Sequence, residues 1–310
     1  MLRALEHRAG FAPDSADLII GTSAGSVIAA YVRSGWTTDR LWDVVLSSER
    51  LPPGPESEAE LAPGLPRLFV AAARTPLDIA RRVAGSTYVM SRSVLRLPLP
   101  ALPGRLRRAF PGGMFTMLEG RRRFEAELPD RWPDKDLWLC AVDIVSGRRI
   151  VLGRRQPPSI GLVASVLASC AIPGMYPPVR YGRRELIDGG AHSSTNLDLG
   201  ARYGCDVILA IVPMGYDESD APGPAARLAR RLPNNSLAAE IATARRRGTR
   251  VVTIRPGADE IRVHGVNLMR SDGLLEVAES AYEATISRLA GGGDLADVLE
   301  HPATSPAGTA

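Results

Sequence analysis

The sequence predicts an α/β protein built on a mixed, mainly parallel sheet with helices on both faces. Short apolar runs of strand length alternate with longer stretches of helical composition along most of the chain. In addition, Leu18-Ile19-Ile20-Gly21-Thr22-Ser23-Ala24-Gly25-Ser26-Val27-Ile28 joins a buried-type strand, a tight turn and a helix, in that order. This is the arrangement of a nucleophile elbow. A composition of 45% hydrophobic and 23% charged residues over 310 positions is ordinary for a globular chain and long enough for a sizeable core. We read one domain over residues 1–290, with the motifs inside 1–212, and a flexible tail over 291–310.

The elements follow in order. Leu2 to Arg8 reads as a helix stopped by Gly10. Leu18 to Ile20 is the first strand, and the small, apolar run Ala24 to Tyr31 is the elbow helix. Gly35-Trp36-Thr37-Thr38-Asp39 breaks that helix and caps the next, Asp39 to Ser47. Glu49 to Pro66, rich in Pro, Gly and Glu, reads as a surface loop. Leu68 to Val83 is helical in composition, split at Pro76 with Thr75 as the cap. Pro98, Pro100, Pro103 and Pro111 exclude a long regular helix between Leu95 and Gly113; a lid is one reading of that segment.

Thr116 to Leu128 is helical. Leu137 to Val142 and Arg149 to Leu152 form a hairpin around Ser146-Gly147. Ile160 to Ala168 is a helix. Val179 to Tyr181 and Arg184 to Ile187 form a second hairpin around Gly182-Arg183, ending at Asp188. Asp206 to Val212 and Thr249 to Ile254 are strands. Between them lie a polar loop, a short basic helix over Ala225 to Leu232 and another helix over Ser236 to Arg247. Ser271 to Leu289 is a long helix ended by Gly291-Gly292-Gly293.

Composition narrows the function. Aromatics make up only 5%, which argues against stacking platforms for single-stranded nucleic acid. The 38 basic residues nearly balance 34 acidic ones, for a net charge of +4, so no nucleic-acid partner is expected. Cys140, Cys170 and Cys205 are widely spaced and odd in number, as unpaired thiols in a reducing compartment would be. No apolar run reaches the length of a membrane span, and Met1 to Glu6 starts a helix rather than a signal peptide. The expected location is cytoplasmic, with any membrane contact peripheral. No metal-ligand cluster stands out, and no cofactor is expected.

Gly21-Thr22-Ser23-Ala24-Gly25 fits G-x-S-x-G, and a turn this sharp leaves little room for side chains at Gly21 and Gly25. Ser23 then sits at a helix N-terminus, where the dipole favours a developing oxyanion and the Ala24 N–H is a donor to it. In a chain with 30 glycines, the same pentapeptide also reads as a loop with Ser23 as an N-cap.

Farther along come Ala168-Ser169-Cys170-Ala171-Ile172-Pro173-Gly174, Tyr176-Pro177-Pro178-Val179 and Leu186-Ile187-Asp188-Gly189-Gly190. Together with the elbow, in this order and spacing, they resemble the patatin-like phospholipase family over about Met1 to Val212. The resemblance implies a three-layer α/β/α fold and hydrolysis of fatty-acyl esters of phospholipids or lysophospholipids. It makes Ser23 the nucleophile and Asp188 the base of a dyad that works through an acyl-enzyme and needs no histidine. Gly189-Gly190 would let the backbone turn beside the carboxylate; alone, Asp-Gly-Gly is an ordinary turn.

The resemblance also implies a glycine-rich oxyanion loop on a strand ahead of the Leu2–Glu6 helix, and the sequence holds no such loop upstream of Ser23. Losing one such donor costs about 10²–10³ in rate. Either the true start lies upstream of Met1, or the alternative holds: a catalytically impaired or non-enzymatic lipid-binding or regulatory relative. An α/β-hydrolase triad would instead need His192 or His264 as base, with several strands ahead of the elbow where this chain has at most one. Arg105-Leu106-Arg107-Arg108 and Arg227-Leu228-Ala229-Arg230-Arg231 read either as solvated faces or as contacts to anionic lipid. Oligomeric state is left open.

Overall fold

The computed structural model of the chain describes residues 1–50, 70–71, 75–93, 99–100, 109–110, 112–154, 160–265 and 273–300. Of the loop expected from Glu49 to Pro66, Glu49 and Arg50 instead end a helix, and residues 51–66 lie outside the described residues, as does most of the proline-rich segment, with Arg105, Arg107 and Arg108. The chain separates into two compact units, Met1–Ala16 with Trp36–Leu51 and Ser194–Ala310, and Asp17–Gly35 with Pro52–Ser193.

The first elements are α1 (Leu2–Ala9), β1 (Leu18–Thr22), α2 (Ala24–Arg33), α3 (Thr38–Arg50), β2 (Val70–Ala71), α4 (Pro76–Ser93) and β3 (Phe115–Thr116). Next come α5 (Leu118–Glu127), β4 (Asp136–Asp143), β5 (Arg149–Leu152), α6 (Leu162–Ser169), β6 (Val179–Tyr181) and β7 (Arg184–Asp188). The remainder is α7 (Asp198–Tyr203), β8 (Val207–Ile211), α8 (Pro224–Arg246), β9 (Arg250–Ile254), α9 (Ala258–His264), α10 (Leu274–Ala290) and α11 (Asp294–Glu300). The chain is thus mixed α/β, as the alternation of runs predicts.

The unit that holds the elbow is organised by β4. Its residues Leu137 to Asp143 are all buried, so it reads as a continuous apolar run rather than an alternating one. Both expected hairpins are present, β4–β5 and β6–β7, and they supply antiparallel pairing, as does β4–β7. β1 runs parallel to β4.

The register carries the main result. Leu139 pairs with Gly21 and Leu152, and Cys140 with Thr22 and Val151. Ala141 pairs with Asp188 and Ile150, and Val142 with Ile187 and Arg149. A strand has only two edges, so β5 holds one while β1 and β7 share the other, end to end. Because β1 runs with β4 and β7 runs against it, both deliver their C-terminal ends to Cys140–Ala141. α6 is apolar nearly all round and buries Leu162 and Ser165 to Ser169 beside this junction. Each fully buried leucine here (Leu137, Leu139, Leu162, Leu167, Leu186) contributes roughly 1.5–3 kcal/mol relative to exposure.

In the other unit, β8 and β9 pair in parallel. Leu197, Ala201, Val212, Leu237, Ile241, Ala244 and Val251 form one core cluster there, and Leu5, Val252, Ile254, Leu295 and Val298 another.

Four local readings change. Val70 and Ala71 pair with Thr116 and Phe115 instead of continuing a helix, because cross-strand partners outweigh composition. The helix after Pro76 is capped as expected, with the Asp78 N–H donating to Thr75 Oγ1 at 3.2 Å, and it runs on to Ser93. α8 passes through Pro233 where two helices are expected. The proline removes one backbone bond, while Leu237, Ile241 and Ala244 beyond it are anchored in the core. Finally, Gly291 ends α10 as expected, but α11 follows and buries Leu295 and Val298.

Candidate active site

The sharp turn after β1 holds Ser23 at φ 52°, ψ −126°, a backbone region that L-residues rarely occupy. Gly21 makes the turn possible, since a Cβ there would lie 2.6 Å from Ser26 Cα and 2.7 Å from the Gly25 carbonyl oxygen. Gly25 is a correction: a Cβ on it would meet nothing within 4 Å, because it already lies in the exposed first turn of α2. The N-cap alternative for Ser23 also fails locally, for its side chain makes no capping bond to α2. Ser26 secures the turn instead. Its N–H and its hydroxyl both donate to the Ser23 carbonyl, at 2.8 and 2.6 Å.

Asp188 ends β7 and is only 4% exposed. Its Oδ1 accepts the Gly190 N–H at 2.7 Å, and the Ser23 side chain lies close enough to act on the same carboxyl. Burial pushes this carboxyl up to about 6, against the lowering effect of the Ser23 side chain and the Gly190 N–H. A Cβ on Gly189 would lie 2.4 Å from the Cys140 carbonyl oxygen, and one on Gly190 3.1 Å from Asp188 Oδ1. Gly189 is therefore required by close approach to the β4 backbone, whereas a side chain at Gly190 would crowd the Asp188 carboxylate only slightly. The ordinary-turn reading is realised at the same time, since Asp188 caps the short 3₁₀ turn Gly189–Ala191.

Three residues that sequence reasoning did not single out complete the geometry: Ser26, Ser169 and Cys170. Ser169 is fully buried; its Oγ accepts the Ser23 N–H at 3.1 Å and donates to the Cys140 carbonyl at 2.7 Å. Cys170 Sγ donates to the Ser23 carbonyl at 3.2 Å and lies 3.5 Å from Ser26 Oγ. The next residue, Ala171, accepts the Asp188 N–H at 2.9 Å. Burial, and then the charge of Asp188, push the Cys170 thiol up to about 12, which keeps it protonated. The available signal was their place in the A-S-C-A-I-P-G run and the elbow helix, where small residues read as core.

The family model for patatin-like phospholipases matches residues 1–200, a span that contains both Ser23 and Asp188. The chain belongs to the patatin-like phospholipase family. No curated protein matches it. Membership makes it, at the level of the family, a relative of hydrolases that act on lipid esters.

In this patatin-like chain, Ala24 and Gly25 are exposed in the first turn of α2, where backbone N–H groups have no intrahelical acceptor. Gly113 offers no comparable donor, because its N–H is committed to Ser86 Oγ at 2.9 Å. His192 is exposed, and His264 Nδ1 lies 3.5 Å from the Arg230 guanidinium. Among the described residues, no histidine is among the groups that act on the Asp188 carboxyl. No group of three or more His, Cys, Asp or Glu among them could hold a metal ion. No helix among them is long and apolar enough to cross a membrane.

Proposed function

We propose that this chain hydrolyses fatty-acyl esters of phospholipids or lysophospholipids, with Ser23 as nucleophile and Asp188 as general base. The observation that carries the reading is that β1 and β7 end at adjacent residues on one edge of β4, which brings Ser23 close enough to the buried Asp188 carboxyl to act on it. A serine hydroxyl attacks only when a base takes its proton, and a carboxyl raised to about 6 is a better base than an exposed aspartate.

Asp188 accepts the Ser23 proton as Oγ bonds to the ester carbonyl carbon. The carbonyl π electrons move to oxygen, and the Ala24 N–H in the first turn of α2 is the donor nearest the nucleophile in sequence. Collapse expels the alcohol portion of the lipid, which leaves with the proton from Asp188. Water, deprotonated by Asp188, then attacks the acyl-enzyme; the acyl–Oγ bond breaks, the fatty acid leaves, and Asp188 returns the proton to Ser23 Oγ.

The test is fatty-acid release from phosphatidylcholine and phosphatidylglycerol vesicles. Ser23→Ala and Asp188→Asn are each expected to lower release by about 10³-fold or more. A folded wild-type chain that releases nothing would overturn the reading and leave lipid binding as the alternative.

Peripheral contact with anionic lipid is supported by one face of α8. Leu228 and Leu232 are 71% and 80% exposed, one turn apart, beside exposed Arg227 and Arg231. Arg230 turns inward, donating to the carbonyls of Pro213 and Gly215, so it takes no part in that face. Co-sedimentation with phosphatidylglycerol vesicles should fall in the Leu228→Asp/Leu232→Asp double variant; unchanged binding would remove this contact from the proposal.

A further inference from the structure

We infer that Ser169 is a positioning residue for the dyad, and that Ser169-Cys170-Ala171 forms a bracket holding Ser23 and Asp188 in one frame. The inference rests on reading Ser23 as the nucleophile and Asp188 as its base.

The need for a bracket follows from the sheet. β1 and β7 meet head-on along one edge of β4, so no ladder of hydrogen bonds joins them to each other. Something else must fix the gap between their ends. The end of α6 does so with three consecutive residues. Ser169 Oγ takes the Ser23 N–H, Cys170 Sγ reaches the Ser23 carbonyl, and the Ala171 carbonyl takes the Asp188 N–H. Ser169 is also tied to β4 itself through the Cys140 carbonyl, the oxygen that Gly189 packs against from the Asp188 side.

The two handles on Ser23 are not equivalent. Its carbonyl has three donors: the Ser26 N–H, the Ser26 hydroxyl and Cys170. Its N–H has Ser169 Oγ, whose own proton is committed to Cys140, which leaves a lone pair facing Ser23. Without that oxygen, a partly buried N–H loses its acceptor and the strained φ of 52° loses a restraint. The Ser23 hydroxyl would then drift from Asp188, and displacements of about 1 Å at a reacting group cost on the order of 10²-fold in rate.

The experiment compares the full chain with Ser169→Ala, Ser169→Cys and Cys170→Ala. One readout is the second-order rate constant for phosphonylation by an alkyl fluorophosphonate, measured on the fraction that labels; the other is kcat and KM on p-nitrophenyl butyrate. Ser169→Ala should lose on the order of 10²-fold in labelling rate and kcat, with KM within about twofold of wild type. Ser169→Cys keeps the same number of side-chain heavy atoms, with a somewhat larger one as the acceptor and only weak accepting power, and should lose about tenfold. Cys170→Ala should lose less than Ser169→Ala, because the Ser23 carbonyl keeps both Ser26 donors. A purely structural role would lower the fraction that labels without slowing the labelling of that fraction. If Ser169→Ala and Ser169→Cys label as fast as wild type, the bracket is overturned while Ser23 stands as nucleophile. If the wild-type chain does not label at Ser23, the functional reading falls and takes the bracket with it.

Discussion

Thr22 and Asp188 close on the same edge of one strand, Thr22 opposite Cys140 and Asp188 opposite Ala141. Two segments far apart in the chain thereby end at adjacent residues of β4, and the residue after Thr22 is Ser23. The junction is buried because β4 is buried from Leu137 to Asp143. The same packing that joins hydroxyl to carboxyl also deprives the carboxyl of water, so the position of Asp188 and its raised protonation range have one cause.

That cause fixes a pH dependence. The base must be deprotonated to take the Ser23 proton, and burial pushes Asp188 up to about 6. The kcat/KM profile of ester hydrolysis is therefore expected to rise with pH through about 6 and level off above it, rather than rising near the ordinary aspartate value of 3.8. A pH–rate profile on a neutral ester checks this. An acid limb near 4 would mean that Asp188 is not the group that titrates.

The same shift acts on stability with the opposite sense to a salt-bridged aspartate. Its folded value, about 6, lies above its unfolded value, 3.8, so between these limits the native state binds more protons. Stability is expected to fall as pH rises through that window, and the full cost applies above it. Asp188→Asn removes this cost. The variant should gain up to about 3 kcal/mol in denaturant unfolding at neutral pH, with the gain fading below about pH 4. A variant equally stable or less stable at neutral pH would show that burial of the charge is not costly there.

The glycines of the two motifs should respond differently. Gly189→Ala drives a Cβ to 2.4 Å from a backbone oxygen of β4, so either the strand or the Asp188 turn must shift. A loss of about 1–3 kcal/mol is expected, together with a large fall in hydrolysis. Gly25→Ala meets open space in the first turn of a helix, and its stability should match wild type or exceed it by about 0.5–1 kcal/mol. Thermal or urea unfolding of the pair decides the matter, and equal losses in both would contradict the packing described.

Local order in the sequence made much of this legible. The apolar run of β4, both hairpin turns, the elbow and the Gly10 stop of α1 all depend on near neighbours in the chain. What was not legible depends on partners far away. Val70 and Ala71 become a strand only because Phe115 and Thr116 lie opposite. α8 survives Pro233 only because its second half is packed in a core. The site divides the same way. Ser23 stood out through the elbow pattern, whereas Asp188, Gly189 and Gly190 were picked out only by the resemblance that their motif carries. Ser169 and Cys170 look like small core residues until the fold brings the end of α6 against the elbow.

The conformation of Ser23 leads to a test that needs no substrate. At φ 52°, ψ −126° a side chain costs about 1–3 kcal/mol, whereas glycine adopts the region without that cost. Glycine also loosens the unfolded chain, which takes back about 0.4–1 kcal/mol. Ser23→Gly and Ser23→Ala both remove the hydroxyl and should be equally inactive, so their difference isolates the backbone. Ser23→Gly is expected to be the more stable of the two by about 1 kcal/mol, read from urea midpoints at equal m-value. An alanine variant as stable as the glycine one would mean that the turn holds no strain, and the bracket from Ser169 would then have nothing to restrain.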